Sequence, residues 1–367
     1  MPRPWLVAPA ILAIAVAGIT ATSGAAKTDS PFLSQLRAIK TISTTVPANG
    51  DINPYGLVTV PSSTGRLRAG EFLVSNFNAK DNDQGTGTTI VEISRAGKVS
   101  LFSRIKASSL PGSCPGGVGL TTALSILPGG YVVVGSLPTT NGKSATAKAG
   151  CLIVLNSSGT PVSTIAGTDI QGPWDMTSVS SGSRTTLFVS NALNGGAAAG
   201  VHVIKNSTVA RITLSSGAGE PPKVVGQQLV ATGIPWRDDP AALVIGPTGL
   251  ALASNGTLYM ANTLLNQITA IPDALTRTTP AAGGGTPVST GQHLKQPLGL
   301  AIAPDGNILT TNAGDGNIVE TTPAGKQVAV VTADKKTGAG SLFGLVVARG
   351  AGIYFVDDGD NTLKLLH

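Results

Sequence analysis

Leu294–Val331 reads LKQPLGLAIAPDGNILTTNAGDGNIVETTPAGKQVAVV and contains four short apolar or alternating runs: Leu298–Ala303, Asn307–Asn312, Asn317–Thr322 and Gln327–Val331. Asp305-Gly306, Asp315-Gly316 and Ala324-Gly325 separate them, and glycine at these points supplies the positive φ of a tight hairpin turn. The stretch is a four-stranded antiparallel meander. Similar meanders recur along the chain at intervals of roughly 40 residues, the period of β-propeller blades.

Working outward, a sixth and last unit offers three strands, Phe343–Ala348, Gly352–Asp357 and Asn361–Leu366, and is one strand short. Ala38–Val46 alternates like a strand but has no meander around it. Used as the outer strand of the last unit, it closes the ring and removes an open sheet boundary. The first unit starts at Asn53-Pro54-Tyr55-Gly56-Leu57, and the second spans Gly119–Ala166. For the third unit the runs predict strands at Pro173–Met176, Thr186–Asn191, Gly200–Lys205 and Val209–Leu214. The fourth spans Pro247–Ile271, with a poorly defined last strand in the Thr/Pro/Gly-rich tail Thr276–Thr290, which reads as a loop. The pattern thus predicts an all-β chain, a six-bladed β-propeller of four-stranded antiparallel blades closed by an N-terminal strand. A seventh blade stays open if the looser Ser215–Leu243, with a strand-like Lys223–Ala231 and an exposed-looking Pro235–Pro240, hides a degenerate one.

Composition agrees. Of 367 residues, 41% are hydrophobic and only 12% charged, with 47 glycines. Their β-branched content in short bounded runs excludes a disordered chain. Arg3, the apolar Leu6–Ile19 and the small residues Ala21–Ala26 have the form of a secretory signal, so residues 1–26 are expected to be a signal peptide. An uncleaved anchor is the alternative. Residues 27–37 follow as an extended lead-in and 38–367 as one propeller domain. The expected location is secreted or periplasmic. No stretch reaches the ~20 apolar residues of a spanning helix. Without Arg3, 24 basic side chains face 19 acidic ones, a net of +5. These are scattered, and only 4% of residues are aromatic, which does not suit nucleic acid binding. Cys114 and Cys151 are the two cysteines, and a pair in an exported protein reads as one disulfide, two separate thiols being the alternative.

The units share a spacing. Gly249 to Asn262, Gly299 to Asn312 and Gly344 to Asp357 are each 13 residues apart; Gly56 with Asn76 and Asp175 with Asn191 repeat the pairing at longer range, and Ser136 replaces the amide in the second unit. Each pair joins the start of an innermost strand to the end of its antiparallel neighbour, on one face of the disc. With the forms Pro-x-Gly-Leu, LYMANTLLNQITAI, ILTTNAGDGNIVET and IYFVDDGDNTLKLL, residues 45–367 resemble the NHL-repeat family of β-propellers. That resemblance implies a fold shared with extracytoplasmic binding proteins and with gluconolactonase-like and virginiamycin B lyase-like enzymes. Activity does not follow from fold.

Asn76, Asn191, Asn262, Asn312 and Asp357 are candidate ligand-binding residues, a polar ring around a ligand or cation. The alternative is that each amide caps a turn and ties its blade to the next. Tyr55, Trp174 and Phe343 stand just before the innermost strands and are candidates to line the channel mouth, or to pack between blades. The Asp357–Asp360 run and Asp81-Asn82-Asp83 are cation candidates that lack the ligand spacing of a calcium loop and suit turns better.

Catalytic signatures are sparse. His202, His293 and His367 are the three histidines, at separated positions. The lyases of similar fold use histidines near the channel mouth, with no counterpart here. The lactonase-like enzymes use a glutamate with Asn/Asp ligands, whereas Glu92 and Glu320 fall in third strands towards the rim. No G-x-S-x-G elbow or phosphate-cradling loop occurs. The sequence therefore points to a binding or scaffold module whose working face carries the insertions Phe77–Thr88, Leu137–Gly150 and Ala192–Ala199. Its partner is a protein, glycan or small molecule, and the protein is expected to be monomeric. No cofactor is expected, a divalent cation such as calcium being the exception. The competing class is a metal-dependent hydrolase or lyase acting on a small lactone or cyclic ester at the channel.

Overall fold

The computed structural model describes Met1 and residues 30–193, 202–217, 219–336, 340–348 and 350–367. The signal assigned to residues 1–26, apart from Met1, lies outside the described residues, as do positions 194–199 of the third insertion. Pro31–His367 forms one compact unit.

That unit is a six-bladed propeller built from antiparallel sheets, with one short parallel pairing noted below. Blade 1 comprises Ile52–Thr59, Phe72–Asn78, Thr89–Ile93 and Val99–Arg104, from the channel outward, and blade 2 Leu120–Leu127, Tyr131–Ser136, Cys151–Leu155 and Pro161–Ile165. Blade 5 comprises Pro297–Ile302, Ile308–Asn312, Asn317–Thr321 and Gln327–Thr332, the meander read first from the sequence. Blade 6 has Leu342–Ala348, Gly352–Asp357 and Thr362–Leu366, and its outer strand is Ile39–Thr44 from the other end of the chain. The seam is extended by backbone bonds between His367 and Arg37 and Ala38.

Blades 3 and 4 correct the sequence reading. In blade 3, Pro173–Ser181 and Arg184–Asn191 are followed by a single strand, Ile204–Ser215, where two had been expected. The fourth strand is Lys223–Asp239, so Ser215–Leu243 holds no seventh blade. Register shifts let this long strand follow its neighbour, which blurs the period-2 pattern. Its end turns back through Leu243–Ile245, while Ala231 and Thr232 pair in parallel with Ala281 and Ala282. Trp236 is fully buried, contrary to the exposed setting expected, and its indole N–H donates to Asn206. In blade 4, Pro247–Leu252, Leu258–Asn262 and Gln267–Ile271 are completed by Thr286–Thr290, a strand within the tail that reads as a loop.

The lead-in also departs from the extended expectation. Leu33–Gln35 makes a 3-10 turn, with Leu33 buried in the apolar cluster of blades 5 and 6. The Glu320 carboxylate holds it, accepting the backbone N–H groups of Phe32 at 3.1 Å and Leu33 at 2.6 Å and the Asn307 amide at 2.7 Å. Cys114 and Cys151 form the disulfide, with Cα atoms 5.2 Å apart and a sequence separation of 37. A loop of that length adds roughly 3–4 kcal/mol by chain-entropy reckoning.

Candidate functional site

The repeated spacing sets the channel wall. A residue at or near the start of each inner strand faces the end of the second strand: Pro54 with Asn76, Leu120 with Ser136, Pro173 with Asn191, Pro247 with Asn262, Pro297 with Asn312 and Leu342 with Asp357. A register shift follows each pairing, and in blades 1, 4, 5 and 6 the Gly of Pro-x-Gly or its equivalent sits there. A Cβ on Gly299 would stand 2.2 Å from the Phe343 carbonyl oxygen of the next blade, and one on Gly249 would stand 2.3 Å from that of Leu298. Glycine is needed because neighbouring inner strands touch backbone to backbone.

The five candidate ring residues are all fully buried. The Asn76 amide donates to the Thr45 carbonyl at 3.1 Å, Asn191 to that of Asp169 at 3.0 Å, and Asn312 to that of His293 at 2.6 Å. Each of these carbonyls lies on the segment that enters the blade. Asn262 accepts the Leu265 N–H at 3.3 Å, and Asp357 accepts that of Gly359 and pairs with Lys364 at 2.6 Å. Burial raises the Asp357 pKa against the lowering effect of Lys364. In this arrangement the amides stitch entry segments to their blades, and none of the five lines the mouth cavity described below.

The sequence reading missed the residue just before the amide. The Thr311 hydroxyl accepts the Gly299 N–H at 2.9 Å and donates to the Phe343 carbonyl of blade 6 at 2.7 Å. Ser75 links Gly56 to Thr121 of blade 2 in the same way, and Ser190 links Asp175 to Thr248 of blade 4. The signal was present in Ser75-Asn76, Ser190-Asn191 and Thr311-Asn312: a hydroxyl next to each amide, pointing to the opposite side of the strand.

Tyr55, Trp174 and Phe343 do meet at the channel mouth. The Tyr55 ring lies 4.0 Å from Phe343 and 4.6 Å from Phe77, centroid to centroid, and Trp174 stands edge-on at 5.8 Å. These rings pack the blades together and also bound a cavity of about 440 Å³. Asn53, Gln84 and Asp358 line the same cavity. Gln84, from the first insertion, reaches across to donate to the Ala241 carbonyl on the turn after blade 3's outer strand. The second insertion braces it, since Thr139 donates its N–H to Gly85 at 3.0 Å. The first two insertions thus stand side by side at the mouth.

The cavity is acidic: Asp239 and Asp358 line it and, among the described residues, no lysine, arginine or histidine does. Asp239 is matched by Arg237 at 2.9 Å. Asp358 has no such partner among the described residues, and burial, with the charge of Asp357, pushes its pKa up to about 7. Burial and then Asp358 raise the Tyr55 pKa far above the usual phenol value. The side-chain oxygens of Asn53 and Gln84 are buried without a hydrogen-bond partner. Asn53 and Gln296, which also line the cavity, hold left-handed backbone at φ 60° and 50°, a conformation that non-glycine residues keep where surrounding structure imposes it.

A second cavity of about 450 Å³ opens from the opposite face between the six inner strands, and Leu298 borders both. Asp175 lines it in the position held by glycine in blades 4 to 6, and its carboxylate accepts the Leu250 N–H of blade 4 at 2.9 Å. Burial pushes its pKa up to about 7 against the lowering effect of the Leu250 and Met176 N–H groups.

Glu92 and Glu320 lie in third strands, where Glu92 accepts the Arg68 N–H at 2.9 Å. His202 precedes the third strand of blade 3. Asp81 and Asn82 shape a turn, Asp81 accepting the Asp83 N–H at 3.4 Å. Among the described residues, no group of three His, Cys, Asp or Glu side chains comes together as a metal site.

Neither a protein-family model nor a curated protein matches the sequence. Solved structures share the fold. A putative gluconolactonase superposes with a TM-score of 0.54 at 14% identity, over 92% of this chain and 95% of that one. A gluconolactonase from Xanthomonas campestris gives 0.54 at 12%, over 89% and 88%. A catalytically inactive virginiamycin B lyase from Staphylococcus aureus, solved with quinupristin, gives 0.51 at 16%, over 89% and 84%. At these identities the likeness is one of fold.

Proposed function

We propose that the protein is an exported binding module that takes a small ligand at the channel mouth, on the face built up by the first two insertions. The observation carrying this reading is the mouth cavity of about 440 Å³, walled by Tyr55, Trp174 and Phe343 and bearing buried polar groups without partners. Concave, mostly apolar sites with a few convergent polar groups are the usual form of small-molecule sites. The Cys114–Cys151 disulfide supports an oxidising compartment and thus export.

The test is ligand-observed NMR of the full chain and of Ala242→Trp with a set of neutral, cationic and anionic fragments. Ala242 lines the cavity, and a large ring there would fill it. Fragments that bind the parent protein and not the variant are the expected result. A set in which no fragment distinguishes the two proteins would overturn the reading.

A further inference from the structure

The chemistry of the mouth cavity limits what it can hold. Among the described residues no lysine, arginine or histidine lines it. The buried side-chain oxygens of Asn53 and Gln84 have no hydrogen-bond partner, and the half-buried Asp358 carboxylate has no ion-pair partner among the described residues. Asn53 is only 6% exposed, so water does not freely satisfy it. A buried acceptor left alone costs roughly 1–3 kcal/mol, and a buried carboxylate more, so a ligand carrying donors recovers that loss. An anion meets like charge there and finds no cation to oppose it. Leu298, Ala313 and Phe343 cover the remaining wall with hydrocarbon.

We propose that the cavity selects small organic ammonium ions. In this assignment, which rests on the channel-mouth reading above, the ammonium N–H groups are taken by Asp358, Asn53 and Gln84, and the hydrocarbon part lies against Leu298, Trp174 and Phe343. The ligand's donors meet acceptors that lack them, and its charge neutralises the carboxylate. An aromatic wall adds cation–π attraction. The Asp358 pKa of about 7 makes binding respond to pH, because the site gains its charge as that carboxyl ionises.

The test uses three probes with one ring and different head groups: cyclohexylmethylammonium, cyclohexylmethanol and cyclohexanecarboxylate. Each is titrated calorimetrically into the full chain at pH 5.5 and pH 8. The ammonium is expected to bind at least tenfold more tightly than the alcohol at pH 8 and to lose about that factor at pH 5.5. Asp358→Asn should remove the preference and its pH dependence while leaving the melting curve cooperative. Asn53→Gly, which keeps the left-handed backbone at that position, should weaken the ammonium severalfold and provides a second reading if Asp358→Asn folds poorly. An alcohol or carboxylate that binds as tightly as the ammonium, or an ammonium unaffected by both substitutions, overturns the inference. If neutral or anionic fragments are instead the ones lost in Ala242→Trp, the cavity remains a ligand site of other chemistry. If no fragment is lost there, the channel-mouth reading falls and takes this one with it.

Discussion

Single side chains decide how the blades meet. The Thr311 hydroxyl satisfies a buried N–H in its own blade and a buried carbonyl in the next, so Thr311→Val leaves both without a partner. The expected loss is roughly 1–3 kcal/mol, measured by urea unfolding, against a smaller change for an exposed Thr→Val control. Asp175 works with pH. In the unfolded chain it ionises near pH ~4, and in the fold near about 7. Between those values only the unfolded form has shed its proton. The contribution of Asp175 to stability is therefore full below about pH 4, drains as pH rises to about 7 and is then lost. Asp175→Asn should gain on the parent protein in melting temperature as pH goes from 5 to 8; a constant difference would contradict the burial of this carboxyl. The glycine spacing and the aspartate that replaces it in blade 3 were legible in sequence, but the reach of that carboxylate was not. Nothing local shows that an aspartate at that place reaches the next blade's Leu250.

Elements were legible wherever period 2 and a glycine turn coincided. Blade 5 follows its sequence reading closely, because Asp305-Gly306, Asp315-Gly316 and Ala324-Gly325 mark each reversal. Blade 3 was read only in part for the opposite reason: Lys223–Ala231 looks like a strand, but Gly233 and Pro235 read as breakers beyond it, while register shifts absorb them in the sheet. The mouth cavity was half legible. Tyr55, Trp174 and Phe343 share an obvious position, whereas Asp358 and Gln84 reach the same space from a turn and an insertion whose paths have no repeat to follow. The lead-in is held by the Glu320 carboxylate on Phe32 and Leu33, beside the packing of Leu33 and the backbone bond of Arg37 to His367. Glu320→Gln exchanges a charged acceptor for a neutral one, and an expected loss of about 1–2 kcal/mol follows. Limited proteolysis should show cleavage near Ser30–Arg37 rising severalfold while the blades stay intact. Unchanged cleavage would mean that the burial of Leu33 suffices.

For the whole molecule the seam is decisive. Ile39–Thr44 pairs with Thr362–Leu366, so blade 6 is built from both ends of the chain. Deleting residues 30–46 removes a strand from blade 6 and the apolar anchor Leu33, and opens a ring whose inner strands otherwise support one another all round. The expected fall in melting temperature is roughly 10 °C or more, with a broader transition, given that each kcal/mol moves a domain of this kind by a few degrees. An unchanged, sharp transition would show that five blades and a partial sixth hold without closure. Closure itself was legible, because a spare strand at one end matched a missing strand at the other.

That same seam imposes an order on biosynthesis. A chain made from its N-terminus onward carries Ile39–Thr44 without its partner until Thr362–Leu366 has been made, after all the other described strands of the propeller. The first strand to emerge is therefore the last to find its place, and until then an edge of apolar and hydroxyl side chains waits in solution. Whatever handles the nascent chain has to shield that edge until the five intervening blades and the rest of the sixth have emerged.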